Sequence, residues 1–426
     1  MAESMKGLKR THRCAELSAA NVGEKVTIMG WVQKNRNKGG LVFVDVRDRS
    51  GIIQVVFEEG KCEAALIEKA AKLRAEYVVA IVGTVGIPAK YGGFETLTEY
   101  ITKDLSEEYD ITVFCSSKSY EEKIEKLNNC HLEYINLNAN GVQSIPYDIL
   151  SLIKALRFAD TILILGVSGC ISLPFLKFFS KKTKLVTNID GLEWKRDKWN
   201  KYAKWFLKFS EKLAVKYSDV VVADNKVIQD YVFSEYGAKS ELIAYGADHV
   251  NKMEISKELK ERYTFLDNKY AFKVCRIEPE NNIHMILKAL SKNENLTFVI
   301  IGNWEASSYG KNLKYKYSKY KNIKILDPIY DQNILNQIRS NCYIYLHGHS
   351  AGGTNPSLVE AMALALPIFA YGINYNKETT DGKAKYFNSS IELIKLLDKI
   401  DEDVLDTISK ELDSIMKMNH NLQKTL

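Results

Sequence analysis

The sequence predicts an α/β protein in which two Rossmann-like domains follow a small all-β segment. Before residue 85, short stretches that alternate apolar and polar residues are joined by basic and glycine-containing turns. After it, apolar segments alternate with helical segments, a pattern typical of doubly wound parallel sheets. The 426 residues accommodate two such sheets. We therefore expect three domains, at residues 1–76, 77–250 and 251–426.

The individual elements follow from these two patterns. The all-β segment is predicted to contain strands at residues 26–32, 41–46 and 51–57 and then a helix at 63–75. Further strands are predicted at residues 77–82, 112–114, 161–165, 184–188, 220–223, 297–301 and 343–346. The longest apolar run, residues 161–176, is interrupted by glycine, serine and proline and is too short for a comfortable membrane span.

The segment at residues 194–213 is predicted to form a basic, aromatic and amphipathic helix. We expect its repeating apolar residues to pack on a sheet, while Trp194, Trp205 and the lysines are candidates for contact with anionic lipid. The repeating residues are Trp199, Tyr202, Phe206, Phe209 and Leu213.

The composition excludes few classes of function. The formal net charge of +6 is compatible with an anionic ligand, nucleic acid or a phospholipid surface, and it requires none of them. The seven cysteines include no C-x-x-C pair, and the first residues lack the apolar core of a signal peptide. These features favour a reduced, cytoplasmic location.

A phosphate-binding loop is predicted between a buried strand at residues 342–346 and a helix that begins at Pro356. Gly352 and Gly353 would let the backbone approach an anion at the positive end of this helix. Glu360 is the one polar residue after the first turn of an otherwise apolar helix, and it needs a partner there. The alternative is an ordinary βαβ crossover with a solvated glutamate, because short glycine motifs are weak signals.

The all-β segment closely resembles the N-terminal anticodon-binding OB-fold of bacterial aspartyl-tRNA synthetases. The resemblance lies in residues 9–17, 30–33, 39–49 and 51–57. It implies that Arg36, Phe43 and Gln54 face the anticodon loop, where an aromatic ring stacks on a base and Arg and Gln contact its edges. The alternative for Phe43 is packing in the barrel core.

The resemblance stops where the barrel needs another strand, and no class II catalytic domain follows. We therefore expect no aminoacylation and only poor anticodon affinity. Residues 78–82 serve as the first parallel strand of the next domain, and one strand cannot pair in both sheets. Burial on both faces in an α/β sheet should prevail over closure of a small barrel, which leaves the barrel incomplete.

Residues 77–426 resemble retaining glycosyltransferases of the two-Rossmann (GT-B) fold, and among them the bacterial rhamnosyltransferase-like group. The motifs are residues 83–95, 188–196, 274–282 and 350–362. The resemblance implies a nucleotide-sugar donor whose diphosphate is stabilised by cations and helix N-termini. The broader superfamily usually has a lysine where Asn281 stands and a first glutamate where Gly352 stands, so fewer groups remain for the diphosphate.

Roles are carried over from this resemblance residue by residue. Arg276 and the loop of Gly352, Gly353, Thr354 and Asn355 are assigned to the donor diphosphate. Glu360 is assigned to the nucleoside ribose and, with Asp190, to catalysis. The alternative for Arg276 is a surface ion pair with Glu278 or Glu280.

The acceptor side is predicted where the first strands of the second domain end. The candidates there are Gly86, Tyr91, Gly92, Gly93 and Glu193. Asp190 could position the acceptor, polarise its hydroxyl group or stabilise positive charge on the sugar. We expect no metal and no cofactor, because the D-x-D sequence at residues 401–403 lies in a charged C-terminal helix.

The leading hypothesis is transfer of a sugar, L-rhamnose from a dTDP donor, to a lipid-linked saccharide acceptor in surface polysaccharide biosynthesis. Such an enzyme would be cytoplasmic, with peripheral contact at the inner membrane face. Two alternatives remain open. One is an RNA-binding OB module on a non-catalytic scaffold, and the other is a nucleotide-sugar epimerase of the same fold.

Overall fold

The protein is represented by a computed structural model that describes residues 9–73, 77–90, 92–179, 182–196 and 199–425. Its contacts divide the chain into two units. Unit 1 comprises Met1–Thr187 and Tyr217–Asp219, and unit 2 comprises Asn188–Lys216 and Val220–Leu426. Unit 1 contains the all-β segment and a parallel sheet, and unit 2 contains a second parallel sheet. The three-domain division remains a prediction.

The all-β segment is a three-stranded antiparallel sheet with one helix. Its elements are β1 (Trp31–Asn37), β2 (Leu41–Arg47), β3 (Ile52–Glu58) and α1 (Ala64–Ala71), in the sheet order β1-β2-β3. The alternation in β2 directs Val42 and Val44 inward, where they pack with Ala70 of α1. This sheet, helix and core form an OB-like segment, and the residues described there include no strands that close the barrel.

Two predictions about this segment are wrong in detail. Residues 26–30 form no strand, because the chain there bonds locally to an earlier segment: the Thr11 N–H donates to the Thr27 carbonyl at 2.9 Å, and the Thr27 N–H donates to Thr11 Oγ1 at 2.8 Å. The helix ends at Ala71 rather than at residue 75. Residues 74–76 lie outside the described part of the chain.

The strand at residues 78–82, which could pair either in the OB-like barrel or in the parallel sheet, belongs to the parallel sheet of unit 1. β4 (Val78–Val82) pairs in parallel with both β5 (Asp110–Ser116) and β8 (Thr161–Leu165). Ala80, Ile81 and Val82 are fully buried there. The prediction that the α/β sheet takes this strand is confirmed, and it explains why the barrel stays open.

The rest of unit 1 surrounds β4. The strand order is β9-β8-β4-β5-β7-β6, and β6 runs antiparallel to β7. The remaining elements are α2 (Gly93–Leu105), β6 (Lys126–Leu127), β7 (Cys130–Ile135), α3 (Ser144–Ala155), α4 (Leu173–Phe179) and β9 (Lys184–Asn188).

Unit 2 is built on a six-stranded parallel sheet in the order β14-β13-β12-β15-β16-β17. Its first elements are α5 (Lys201–Tyr217), β10 (Val220–Ala223), α6 (Lys226–Tyr236), β11 (Glu241–Leu242), α7 (Lys257–Arg262), β12 (Tyr270–Val274), α8 (Ile283–Leu290), β13 (Thr297–Ile301) and α9 (Ser308–Tyr317). The others are β14 (Ile323–Leu326), α10 (Gln332–Ser340), β15 (Ile344–His347), α11 (Pro356–Ala363), β16 (Ile368–Tyr371), α12 (Asn374–Thr379), β17 (Lys385–Phe387), α13 (Ser390–Asp398) and α14 (Glu402–Thr425).

The basic aromatic helix is shorter than predicted and turns a different face to the protein. A 3₁₀ turn spans Glu193–Lys195, residues 197–198 are outside the described part, and α5 begins at Lys201. Its buried residues are Leu207, Ser210, Glu211, Ala214 and Val215. The prediction that Tyr202 and Phe209 pack on a sheet is therefore wrong, because both rings are exposed. The other three predicted residues, Trp199, Phe206 and Leu213, are half-buried.

In the described part of the chain, no helix combines the length and the apolar character needed to cross a bilayer.

We predict that a chain beginning at residue 77 keeps its affinity for a nucleotide sugar. The reason is that β4 takes its ladder partners from β5 and β8, so removal of β1, β2 and β3 leaves the parallel sheet complete. One ion pair, Lys34 with Glu108 at 3.4 Å, would be lost, and exposed pairs contribute little. Calorimetric titration of both chains with one donor checks this, and loss of binding on truncation would refute it.

Candidate functional site

The loop between β15 and α11 has the geometry of an anion cradle. Gly352 has φ +77°, a left-handed conformation that favours glycine, and Asn355 caps α11 by accepting the Ser357 N–H at 3.1 Å. Within the described residues, no acceptor is found for the backbone N–H groups of Gly352, Gly353 and Asn355. These donors, at the positive end of a helix, can bind an anionic group.

Two residues that follow β10 hold this loop in place. The Thr354 hydroxyl donates to the Asp224 carbonyl at 2.7 Å, and the Asn225 side-chain amide donates to Thr354 Oγ1 at 3.1 Å. The same amide donates to Thr379 Oγ1 at 3.2 Å, which connects the loop to α12. A Cβ atom on Gly353 would overlap the Asp224 carboxyl group, so glycine is required at this contact.

Asp224 is itself unusual, because it is buried to 1% exposure and neither carboxyl oxygen has a hydrogen-bond partner of good geometry among the described residues. Burial raises the pKa of Asp224 to about 7, and repulsion from Asp190 acts in the same direction. Burial and Asp190 therefore both favour the protonated form of this acid.

Glu360, predicted to need a partner, has two within the protein. Its Oε1 lies 2.8 Å from His249 Nε2, and its Oε2 forms an ion pair with Arg339, whose side chain is 1% exposed. Arg339 in turn donates to Asn336 Oδ1 at 2.7 Å. Burial acts to raise the pKa of Glu360, but Arg339 and His249 outweigh it and hold that pKa below its usual value. The carboxylate thus stays ionised and fixed in position.

Arg276 lies two residues after the end of β12, with an exposed side chain. The alternative of an ion pair with Glu278 or Glu280 is not seen among the described residues, and Glu280 lies instead 3.8 Å from Arg196. Asn281 donates from its side chain to the Arg276 carbonyl at 2.9 Å. The guanidinium group is therefore available to a ligand, while Asn281 fixes the backbone behind it.

Asp190 and Glu193 follow β9 and meet around Arg196, which is 8% exposed. Arg196 lies 2.6 Å from Glu193 and 3.8 Å from Asp190. Asp190 has φ +60°, which its N–H bond to Asn188 Oδ1 at 2.9 Å helps to hold. Burial raises the pKa of Asp190, although Arg196 opposes this. A Cβ atom on Gly191 would overlap the Gly352 backbone, so this segment directly contacts the loop.

The predicted acceptor residues other than Glu193 belong to unit 1. Gly86 follows β4 with φ +128°, Gly92 caps α2, and Gly93 is its first residue. Tyr91 lies outside the described residues. Unit 2 by itself therefore contains Asp190, Glu193 and the loop before α11. It also contains Glu360 with its buried partner Arg339.

The three predicted RNA-contacting residues share the outer face of the OB-like sheet. Arg36 lies opposite Phe43 in the ladder, and its guanidinium carbon is 6.0 Å from the Phe43 ring. Asp45, which the sequence did not single out, accepts from Arg36 at 2.9 and 3.0 Å and from Gln54 at 2.9 Å. Phe43 is not a core residue, because the core is formed by the opposite face.

Sequence reasoning missed four residues of unit 2 that contact the loop, Asp190, Glu193 or Glu360. Arg196 was noticed only as part of a motif, and Asp224, His249 and Arg339 were not noticed at all. An acid directly after a strand was the one available signal for Asp224. In the described part of the chain, no group of three His, Cys, Asp or Glu residues could hold a metal ion.

Family models match three parts of the chain. An OB-fold nucleic acid binding domain matches residues 26–104, a domain of unknown function (DUF1972) matches 76–248, and glycosyl transferases group 1 matches 255–409. The first two overlap at residues 76–104, which contain β4 and all of α2 except its last residue.

The OB-like segment is similar to curated ligases. It is 69% identical over 85 residues to an aspartate–tRNA(Asp/Asn) ligase of Lachnoclostridium phytofermentans. The match covers 20% of this chain and 14% of the ligase, so the chain spans a small fraction of its curated relatives.

Solved structures share the fold at low identity. Sucrose-phosphate synthase from Thermosynechococcus elongatus has a TM-score of 0.67 at 14% identity, covering 80% of this chain and 94% of that one. Anabaena HepE in complex with UDP and glucose has a TM-score of 0.62 at 16%, covering 82% and 99%. A putative UDP-N-acetylglucosamine 2-epimerase from Listeria monocytogenes has 0.52 at 13%, covering 78% and 90%. The fold is GT-B, and together with the family model it supports a glycosyltransferase.

We predict that Glu360→Gln destabilises the protein by about 3 kcal/mol, because it leaves the buried Arg339 without its counter-ion. The contribution of Glu360 should be present above the pKa of an unfolded glutamate and should fade as pH falls through the lower pKa of the folded state. Urea unfolding of wild type and variant at several pH values measures both effects. Glu392→Gln, an exposed glutamate on α13, is the matched control. Equal stability of the two variants at pH 7 would contradict the assignment.

Proposed function

We propose that this chain, an OB-fold segment joined to a GT-B glycosyltransferase, transfers a sugar from a nucleotide sugar to a lipid-linked saccharide. The observation that carries the proposal is the loop before α11, whose unbonded N–H groups stand at a helix N-terminus. A departing nucleoside diphosphate needs such donors where its charge develops. Arg276, with no ion-pair partner in the described residues, adds the cation.

The residues around the loop take complementary roles in this proposal. Glu360, held ionised by Arg339 and His249, accepts hydrogen bonds from the ribose of the donor. Asp190 contacts the reacting sugar and stabilises positive charge that develops on it, with retention of configuration. Arg196 positions Asp190 and Glu193 and is not itself catalytic.

The donor is proposed to be dTDP-L-rhamnose, on the strength of the resemblance of residues 77–426 to the rhamnosyltransferase-like group. HepE, whose structure holds UDP and glucose, supports a nucleotide-sugar ligand of this general class. Gly86, Gly92, Gly93 and Glu193 are proposed to contact the acceptor, which would place the reaction at the inner face of a membrane.

A second candidate is a nucleotide-sugar epimerase, which the likeness to the Listeria protein favours. The two functions can be distinguished by whether the reaction needs an acceptor and whether it releases a nucleoside diphosphate. An epimerase interconverts free nucleotide sugars without an acceptor, whereas a transferase releases the nucleoside diphosphate only on transfer or slow hydrolysis. Binding of tRNA is not part of the proposal, because the open barrel lacks part of the RNA surface and Asp45 already pairs with Arg36.

Membrane contact is proposed through α5. Tyr202 and Trp205 are 85% and 68% exposed, and the Trp205 ring stacks on Phe209 with a centroid distance of 5.6 Å. Lysines flank these rings along the helix, and aromatic rings with neighbouring lysines suit the surface of an anionic bilayer. Trp194 contributes less than the sequence suggested, because it is half-buried beneath Lys195 and Lys208.

We predict that Arg276→Ala weakens binding of the nucleoside diphosphate at least about tenfold, since a charge-assisted hydrogen bond is lost. Saturation-transfer NMR and calorimetry with dTDP, UDP and GDP sugars would measure this and identify the donor. Arg262→Ala, an exposed arginine on α7, is the control and should bind normally. Unchanged affinity in Arg276→Ala would remove Arg276 from the site.

We predict salt-sensitive binding to anionic vesicles, to which each exposed lysine near the bilayer adds on the order of 1 kcal/mol. Trp205→Ser combined with Tyr202→Ser should reduce co-sedimentation, whereas Tyr315→Ser, a tyrosine 89% exposed on α9, should not. Equal sedimentation with neutral and anionic vesicles would reject this surface.

A further inference from the structure

The edge of β3 that faces away from β2 has no role in the proposed function. In the sheet order β1-β2-β3, β2 is central, and the described residues provide no strand beyond β3. The next strand along the chain, β4, pairs with β5 and β8 instead. Among the described residues, this edge of the segment therefore has no strand partner.

The ladder with β2 determines which backbone groups face that edge. The Asp48 N–H donates to the Gly51 carbonyl at 3.0 Å, and the Glu59 N–H donates to the Gly40 carbonyl at 2.9 Å. Hydrogen-bonded and non-bonded pairs alternate in an antiparallel ladder, so alternate residues of β3 direct their N–H and C=O groups away from β2. These are Ile52, Gln54, Val56 and Glu58.

The outer edge of β3 has few of the features that prevent an edge strand from pairing with a strand of another chain. Residues 52–57 contain no charge, proline or glycine, and Ile52 and Val56 are 55% and 45% exposed. Native edges usually carry lysine, proline or a bulge that prevents pairing with another chain. Here the one bulge lies between Val32 and Lys34 in β1, on the far side of the sheet.

We propose that β3 pairs with β3 of a second copy of this chain, antiparallel and about a two-fold axis at Val55. This register places Gln54 opposite Val56 and Ile52 opposite Glu58, so the outward N–H and C=O groups of Gln54 and Val56 meet outward groups of the partner, and the Glu58 N–H meets the Ile52 carbonyl. The Glu58 carbonyl is already used within its own chain, where it accepts from the Lys61 and Cys62 N–H groups at 3.1 and 3.0 Å. Glu58, the strand's one charged residue, then faces an isoleucine and not a second Glu58. The strand is thus complementary to itself, as a two-fold interface requires.

The inference is independent of the proposed transferase, none of whose proposed site residues lies in the OB-like segment. It predicts a dimer with a six-stranded antiparallel sheet formed from two OB-like segments. β-Strand addition of this kind derives its affinity from main-chain hydrogen bonds and its register from the side chains.

Ile52→Glu and Ile52→Lys form a matched pair that tests the register. Both remove the same apolar side chain, but the first places like charges opposite each other at both ends of the interface, and the second places opposite charges there. We expect the dimer dissociation constant of Ile52→Glu to exceed that of Ile52→Lys about tenfold at low salt. The effect is moderated by Lys61, which pairs with Glu58 at 2.7 Å.

Sedimentation equilibrium from low to high micromolar concentration measures the three dissociation constants. Within one chain Ile52 lies opposite Arg47, so a glutamate at this position favours the fold of its own sheet. Weaker association of Ile52→Glu therefore cannot reflect unfolding, which circular dichroism would check. A wild-type monomer at every concentration, equal constants for the two variants, or assemblies larger than a dimer would overturn the proposal.

Discussion

The pairing of β4 with β5 and β8 is the constraint on which the rest of the structure depends. A strand has two edges and two faces, and in β4 both edges are taken by the parallel sheet of unit 1. Three consequences follow from this pairing. In the described residues, the OB-like segment has three strands and one helix, no strand pairs with the outer edge of β3, and the parallel sheet is complete without this segment. Two family models, the OB-fold domain and DUF1972, overlap at residues 76–104, so the sequence of β4 matches both an OB-fold and the domain that follows it.

Within unit 2, the candidate site depends on buried polar groups that hold a loop and a carboxylate in place. Asn225 and the Asp224 backbone fix the loop through Thr354, while Arg339 and His249 fix Glu360. Such groups are costly to bury unless they are paired, so their presence indicates positioning rather than simple stability. A loop held in this way offers its N–H donors without having to reorganise when a diphosphate develops charge.

Much of the fold was predictable from periodicity. The strands at residues 161–165, 184–188, 220–223 and 297–301 agree with the structure to the residue, because apolar runs bounded by turns leave little choice. The face of α5 was not predictable, since helical spacing shows which residues share a face but not which face finds a partner. In the site, local sequence identified the loop and Glu360, whereas Arg339 and His249 reach Glu360 from 21 and 111 residues away. Contacts at such separations leave no periodic signal.

Hydrogen exchange of residues 78–82 in the full chain tests the central claim most directly, with Val44→Ala used to destabilise the OB-like core. If β4 belongs to the parallel sheet, its amides should exchange as slowly as those of β5 and β8, and Val44→Ala should accelerate exchange in β1, β2, β3 and α1 but not in β4. Exchange of residues 78–82 that accelerates together with β3 in the variant would show that the strand is part of the barrel, and it would contradict this account.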